Sequence, residues 1–379
     1  MPERINKYSK VFAEINLGNL EYNLQQIQNH VKPAKVIAVV KANAYGHGVV
    51  EVSKHLEQQG IDFFAVARIK EALELYQANI SGNLLIFSRL NLDEIQKAIN
   101  LNFRITLANI KDLETIEECA MSIGKKAIVH INVDTGMGRI GLFPKNLPCL
   151  LDKLANCQNI ELEGLYSHFS NSDCENKEFA YEQYEVFLSL LDQFEKRGFD
   201  IPLIHMANSG AILDIPDVYQ DKFNAVRAGM ALYGCYPSME TSESIKLIPV
   251  MTLSTDVMDI REMDSGQPIS YGLRYYTKEP TRIAVLPIGY ADGISRMFTN
   301  KGKVLIHNKF YPMVGTVTMD QIMVAVDNDV NEGDKVILWG MGDKQVLRTD
   351  MVADSVGTIA YELCTSITSR VLKKYIKNK

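Results

Sequence analysis

Between Lys35 and Ala228, short apolar runs alternate with longer stretches whose apolar residues recur at spacings of three and four. The apolar runs are Lys35–Val40, Phe63–Ala67, Leu84–Ser88, Arg104–Leu107, Ala127–Val133, Leu162–His168, Leu203–Ala207 and Asn224–Ala228. Each is too short for a helix, and several are rich in Val and Ile, as strands buried in a parallel sheet are. The intervening stretches, among them Val49–Gln59, Glu71–Gln77, Leu92–Ile99, Ile110–Ile123 and Phe179–Lys196, carry the apolar stripe of amphipathic helices. Eight strands in strict alternation with helices predict an α/β fold with a closed (β/α)8 barrel, with a doubly wound open sheet as the alternative.

After Pro237 the pattern changes. Short β-rich runs (Met251–Ile260, Arg282–Pro287, Lys303–Ile306, Tyr311–Val317, Ile322–Val326 and Lys335–Leu338) follow one another across turns such as Asp264-Ser265-Gly266 and Asn300-Lys301-Gly302. This reads as a second, mostly antiparallel β domain over residues 241–379, after a barrel over 10–240, with residues 1–9 packing on the second unit.

Composition narrows the function. The hydrophobic fraction is 46% and the net charge −6, with no basic stripe, so a nucleic-acid partner is not expected. No apolar run reaches the roughly 18 residues of a membrane span, and the first ten residues lack the apolar core of a secretory signal. The six cysteines are scattered, with no CxxC pair, so neither a zinc site nor a disulfide framework is suggested. The expected location is the cytoplasm.

In a barrel the chemistry sits at the C-terminal ends of the strands. Lys41 directly follows the run Val36–Val40, which places an ammonium at the mouth of the first barrel strand. Partial desolvation there lowers a lysine pKa and suits it to Schiff-base chemistry. The glycines of Ala42-Asn43-Ala44-Tyr45-Gly46-His47-Gly48 permit a tight backbone turn.

The stretch Val39–Gly48 resembles the pyridoxal-phosphate (PLP) signature of alanine racemases. Further motifs of that family follow in order: Asp134–Arg139, Ser167-His168-Phe169, Ala207-Asn208-Ser209, Arg227-Ala228-Gly229, Ser270-Tyr271-Gly272, Gly289–Gly293 and Met319-Asp320. The resemblance spans essentially the whole chain. It implies a PLP-dependent interconversion of L- and D-alanine by two bases, supplying D-alanine for peptidoglycan, in a homodimer with shared active sites. Lys41 would hold the cofactor and serve as one base, and Tyr271, from the other subunit, as the second. Tyr45, Asn208, Ser209, Gly229, Met230 and Tyr361 would bind the cofactor, mostly at its phosphate, and His168 would pack on its ring. Arg227 would face the pyridine nitrogen. Arg139 and the backbone N–H of Met319 would bind substrate, and Asp173, Tyr290 and Arg296, with Tyr361, would line the approach channel. A tyrosine base needs nearby positive charge, for which His168 and the Arg227 side are candidates.

Arg227 selects the chemistry. An arginine stays protonated and can only donate a hydrogen bond, so the ring nitrogen would stay bare and the cofactor a weaker electron sink. One departure stands out. Family members carry a lysine, often carbamylated, two residues before the Asp of Asp134–Arg139, and this chain has Asn132. Arg139 would lack an anionic partner, so a bound anion, chloride, is expected near Asn132 and Arg139. The alternatives are a racemase of broader specificity, acting for example on serine, and a PLP-dependent decarboxylase of the same fold. The decarboxylase would need an acidic residue in place of Arg227.

Overall fold

The computed structural model describes residues 10–377, so the expectation for residues 1–9 lies outside the described residues. The chain opens with a strand, β1 (Val11–Asn16), and a helix, Leu17–His30, started by the Asn16 side chain, which accepts hydrogen bonds from Gly18 and Asn19 N–H. Eight strands follow: β2 (Lys35–Val39), β3 (Phe63–Val66), β4 (Asn83–Ile86), β5 (Arg104–Leu107), β6 (Ala127–Asn132), β7 (Ile160–Tyr166), β8 (Leu203–His205) and β9 (Ala225–Ala228). They pair in parallel in the order β8-β7-β6-β5-β4-β3-β2-β9. The ring closes between β8 and β9 through Asn224 N–H on Ile204 O (3.2 Å) and Arg227 N–H on Ala207 O (3.0 Å). The eight runs seen in the sequence are these eight strands, and the fold is the barrel, not the open sheet.

Helices cover the barrel where the apolar stripes predict them. Leu92–Asn100 begins at a capping box in which Asn91 and Glu94 exchange side chain to backbone hydrogen bonds. Ile110–Ile123 ends at Gly124, whose φ of 72° is the left-handed stop that glycine adopts freely.

The second half holds β10 (Met251–Asp256), β11 (Asp259–Met263), β12 (Thr281–Leu286), β13 (Lys303–Ile306), β14 (Lys309–Pro312), β15 (Ile322–Val326), β16 (Lys335–Met341), β17 (Val346–Leu347) and β18 (Leu372–Ile376). One sheet runs β14-β13-β16-β10-β1-β18, with β17 on β16, and a smaller one runs β11-β12-β15. The pairs are antiparallel except β1 with β18. The run Met251–Ile260 is two strands, because the chain leaves the large sheet after Asp256 to join the small one. The run Tyr311–Val317 ends as a strand at Pro312, which has no N–H for a ladder and lies on an edge. The helices Leu17–His30, Thr349–Val356 and Ala360–Ser366 and the strand β1 carry no prediction above.

Asn23 fastens the two halves. It is fully buried, donates to Leu232 O (3.1 Å) and Ile248 O (2.8 Å), and accepts from Ile248 N–H (2.9 Å). Asn23→Leu keeps the branched shape but leaves Leu232 O, Ile248 O and Ile248 N–H without their side-chain partner. The expected loss is about 3 kcal/mol, read as a lower midpoint in chemical denaturation; an unchanged midpoint would contradict this role.

Candidate active site

Lys41 stands where β2 ends, at the start of a left-handed turn. Ala42, Asn43, Ala44 and Tyr45 have φ between 51° and 55°, and Gly46 has φ 82°. Left-handed backbone costs L-residues roughly 1–2 kcal/mol each, so such a run persists only where its surroundings impose it. Here they do. The Glu71 carboxylate accepts Ala42 N–H (2.7 Å), Ala67 N–H (2.8 Å) and Arg68 N–H (3.0 Å), tying the ends of two strands to one helix start. Asn43 Oδ1 accepts Val49 N–H (2.8 Å), and His47 Nδ1–H donates to Ala44 O and Tyr45 O. Gly46 is obligatory, since a Cβ there would lie 2.0 Å from the carbonyl oxygen of Cys364.

The turn forms one wall of a cavity of about 640 Å³ at the C-terminal ends of the barrel strands. Of the residues singled out in the sequence, Lys41, Tyr45, Asn132, Arg139, His168, Asp173, Asn208, Ser209, Arg227, Gly229, Met230 and Tyr361 all line it. Among the described residues no carboxylate forms an ion pair with Lys41. Burial lowers its pKa, the Arg139 and Arg227 charges lower it further, and Glu71 opposes them. A lysine amine in this state is a ready nucleophile and proton acceptor. At the other end of the cavity, Ser209 Oγ accepts Gly229 and Ala231 N–H (3.2 Å each). A Cβ on Gly229 would stand 2.7 Å from the Tyr45 hydroxyl, so glycine keeps this end open.

Arg227 is buried, yet among the described residues no carboxylate pairs with it. Nη1 donates to His205 O (2.8 Å) and His205 Nδ1 (2.9 Å). Nη2 donates to Ser167 O (2.7 Å), Met206 O (3.0 Å) and His168 Nδ1 (3.2 Å). These acceptors use every Nη hydrogen and leave Nε–H without a protein partner among the described residues. Burial brings the guanidinium pKa down to about 10, so it stays charged near neutrality. His168 behaves oppositely: burial first, then the charges of Arg227, Arg139 and Lys41, push its pKa well below the usual value. Its imidazole is neutral, so the positive charge on this side of the cavity comes from Arg227 and not from His168.

Tyr271, Tyr290, Arg296 and Met319 stand apart from this cavity. All four are exposed on the second half of the chain, Tyr271 to 75%. Tyr271 projects from a loop in which Ser270, Gly272 and Leu273 have φ of 65°, 74° and 52°. Thr316 Oγ1–H on Tyr271 O (2.7 Å) and Ser270 Oγ–H on Thr316 O (2.6 Å) hold that loop. Tyr290 N–H donates to Thr318 O and Ala291 N–H to Met319 O (3.0 Å each). That approach requires Gly289, whose Cβ would stand 2.3 Å from Thr318 O.

At Asn132 the side-chain amide donates to Ile140 O (3.1 Å), while its oxygen is buried without a partner. Sequence reasoning missed Glu71, Tyr166, His205, His130 and Glu163. Glu71 had a signal, an acidic residue in the first turn of a helix. His130 and Glu163 had one too, as charged or polar residues inside apolar strands, which must find partners.

The geometry describes a barrel protein with a reactive lysine and a donor-only arginine facing one cavity. Residues 15–237 match the family described as alanine racemase, N-terminal domain, and residues 250–375 match alanine racemase, C-terminal domain. Alanine racemase 2 of Caldanaerobacter subterraneus subsp. tengcongensis is 40% identical over 368 residues, 96% of this chain and 94% of that protein. The alanine racemase of Methanococcus maripaludis is 40% identical over 371 residues, 97% of this chain and 98% of that protein. Among solved structures, the alanine racemase of Clostridium difficile superposes with a TM-score of 0.90 at 38% identity, covering 98% of this chain and 97% of that one. An alanine racemase from Bartonella henselae with covalently bound pyridoxal phosphate gives 0.88 at 30% identity, covering 97% of this chain and 100% of that one. The chain belongs to the alanine racemase family.

If Glu71 imposes the Lys41 turn, Glu71→Ala should speed hydrogen exchange at the amides of Ala42, Ala67 and Arg68 by about tenfold or more. Unchanged exchange at all three would refute the assignment.

Proposed function

We propose that this chain interconverts L-alanine and D-alanine with pyridoxal 5′-phosphate carried on Lys41, and that two chains pair so that Tyr271 of one completes the cavity of the other. The observation that carries the reading is the pairing of a lysine amine with a buried Arg227 Nε–H, neither of which has a partner among the described residues. The cavity fits the cofactor: an amine for its aldehyde, a lone donor for its ring nitrogen, and a glycine-cleared end at Tyr45, Ser209, Gly229, Met230 and Tyr361, with Asn208 beside them, for its phosphate. When bound, PLP supplies a conjugated ring that accepts the electron pair left as the α-proton departs.

The chain's own groups do the rest. Lys41, with its lowered pKa, takes or returns the proton on one face of the α-carbon, and Tyr271 does so on the other. Arg227 offers a hydrogen and takes none, so the ring nitrogen stays bare and the proton returns to the carbon it left. His168, as a neutral ring, would pack on the pyridine. Arg139 would reach the cofactor's phenolic oxygen, and Met319 N–H would orient the substrate carboxylate. Asp173 and Tyr361 of one chain meet Tyr290 and Arg296 of the other along the approach. The exposure of Tyr271, Tyr290, Arg296 and Met319 supports this sharing, because a site built from one chain alone would have drawn them into its cavity. The aromatic and apolar side chains Leu273, Tyr276 and Met297, also exposed, suit the same interface.

Arg139 pairs with no carboxylate among the described residues. We therefore propose a chloride beside it. The unpaired oxygen of Asn132 is an acceptor, which puts the ion on the Arg139 side. We also propose a division of the chain near residue 240, crossed by β1, a cytoplasmic location, and a supply of D-alanine to peptidoglycan. No helix among the described residues is long and apolar enough to cross a membrane.

Lys41→Ala should abolish both the visible absorbance of the purified protein and the change in optical rotation of L-alanine; a colourless, inactive wild type would end the reading. Mixing inactive Lys41→Ala and Tyr271→Phe chains after reversible dissociation should restore about a quarter of the sites, since each mixed dimer holds one intact pair. No recovery in a confirmed mixed dimer would overturn the shared site. Crystals grown in chloride should show an anomalous peak beside Arg139, and a flat map there would remove the anion.

A further inference from the structure

A line of polar side chains runs down the barrel interior from Arg227, and the chemistry above uses none of it below that residue. His205 Nδ1 accepts from Arg227 (2.9 Å), His205 Nε2 faces His130 Nδ1 (3.0 Å), and His130 Nε2 faces Glu163 Oε2 (2.8 Å). Glu163 also takes Arg104, through Nε (3.0 Å) and Nη2 (3.0 Å). Both histidines are fully buried.

The hydrogens in this line have one arrangement. Arg227 only donates, so His205 Nδ1 must present a lone pair, and its proton sits on Nε2. That proton is donated to His130 Nδ1, whose own proton therefore sits on Nε2 and is donated to Glu163. The line must end on a group that accepts, and a carboxylate does. Burial, the largest effect, would raise the Glu163 pKa, but the hydrogen bonds from His130 and Arg104 outweigh it and bring it down to about 2. Burial likewise lowers the pKa values of His130 and His205, which keeps both neutral.

The backbone is shaped for this line. Val129 pairs with Leu162 but His130 pairs with Gly164, so Glu163 is the extra residue of a bulge in β7. A bulge re-aims the side chain it carries, and this one turns Glu163 toward His130. The next residue has to be glycine, because a Cβ on Gly164 would stand 2.2 Å from His130 Nδ1. Tyr166, two residues on, stacks on His205 at 5.0 Å with the rings 8° apart.

We propose that Glu163 is a positioning residue for the racemisation: through His130 and His205 it fixes the tautomer that offers Arg227 a lone pair, and so holds the guanidinium with Nε–H toward the cavity. The inference rests on the role given above to Arg227. Glu163 touches neither substrate nor cofactor and acts only through this line.

The test is ¹⁵N NMR of histidine-labelled, cofactor-free protein, joined to kinetics of the holoenzyme. In the wild type His130 and His205 should both be Nε2–H tautomers. Glu163→Gln keeps an acceptor for His130 and should keep both tautomers. Glu163→Leu removes it and should convert His205 to Nδ1–H or to a mixture. Both variants leave Arg104 without its carboxylate, so the difference between them reports the acceptor alone. The kcat of Glu163→Leu should fall about tenfold or more below that of Glu163→Gln, the loss of one hydrogen bond to a charged group, with KM unchanged. A wild-type His205 in the Nδ1–H form, or equal tautomers and equal kcat in the two variants, would overturn the proposal. Should Glu163→Leu fail to fold, the wild-type tautomers alone decide. Failure of the function proposed above shows instead as loss of cofactor binding or turnover in the wild type, so the two are separable.

Discussion

A guanidinium lies inside the barrel, and the carboxylate to which hydrogen bonds connect it is two imidazole rings away. Burying a cation is costly unless its hydrogens are all placed. Arg227 places its Nη hydrogens on three backbone carbonyls and two ring nitrogens, in place of a carboxylate, and keeps only Nε–H without a protein partner among the described residues. The consequence spreads through the cavity. A carboxylate against Arg227 would cancel its field; without one, the positive charges of Arg227 and Arg139 add to burial in lowering the Lys41 pKa, and with Lys41 they add to burial in keeping His168 uncharged. A cavity of that sign suits a ligand bearing a phosphate and a carboxylate.

The barrel was legible because most of its strands are buried on both faces and read as short apolar runs, bounded by polar helix starts. Ile110–Ile123 and Ile322–Val326 fall where the pattern puts them. What escaped was decided by pairing across long stretches of sequence. β1 alternates buried and half-buried residues over six positions, a weak signal in an N-terminal segment. Thr349–Val356 and Ala360–Ser366 are short, and their helicity comes from packing on neighbours more than from periodicity.

The cavity was legible through its motifs, because a lysine after a strand or a glycine where backbone crowds a ligand end is a local fact. Twelve of the residues singled out face one space. The supporting groups were not legible. Glu71 acts on a turn 29 positions earlier. Glu163 acts inside the barrel only because a bulge rotates it, and a register shift leaves no mark in the pattern of apolar residues. The neutral state of His168 was hidden for another reason: it is set first by burial and then by three cations, which come together only in the folded chain.

β1 carries one more implication, for how the chain is made. Its partners are β10, at residues 251–256, and β18, at residues 372–376. A ribosome releases β1 before either of them, and β18 more than three hundred residues after β1. At the rates of translation that is a wait of roughly tens of seconds. Through that time the barrel strands can find their neighbours in order, while Val11, Ala13 and Ile15, buried in the finished sheet, stay uncovered. The nascent polypeptide therefore carries an unsatisfied, sticky strand at Val11–Asn16 until Leu372–Ile376 emerges, and a chaperone that shields it would have most to do before that strand arrives.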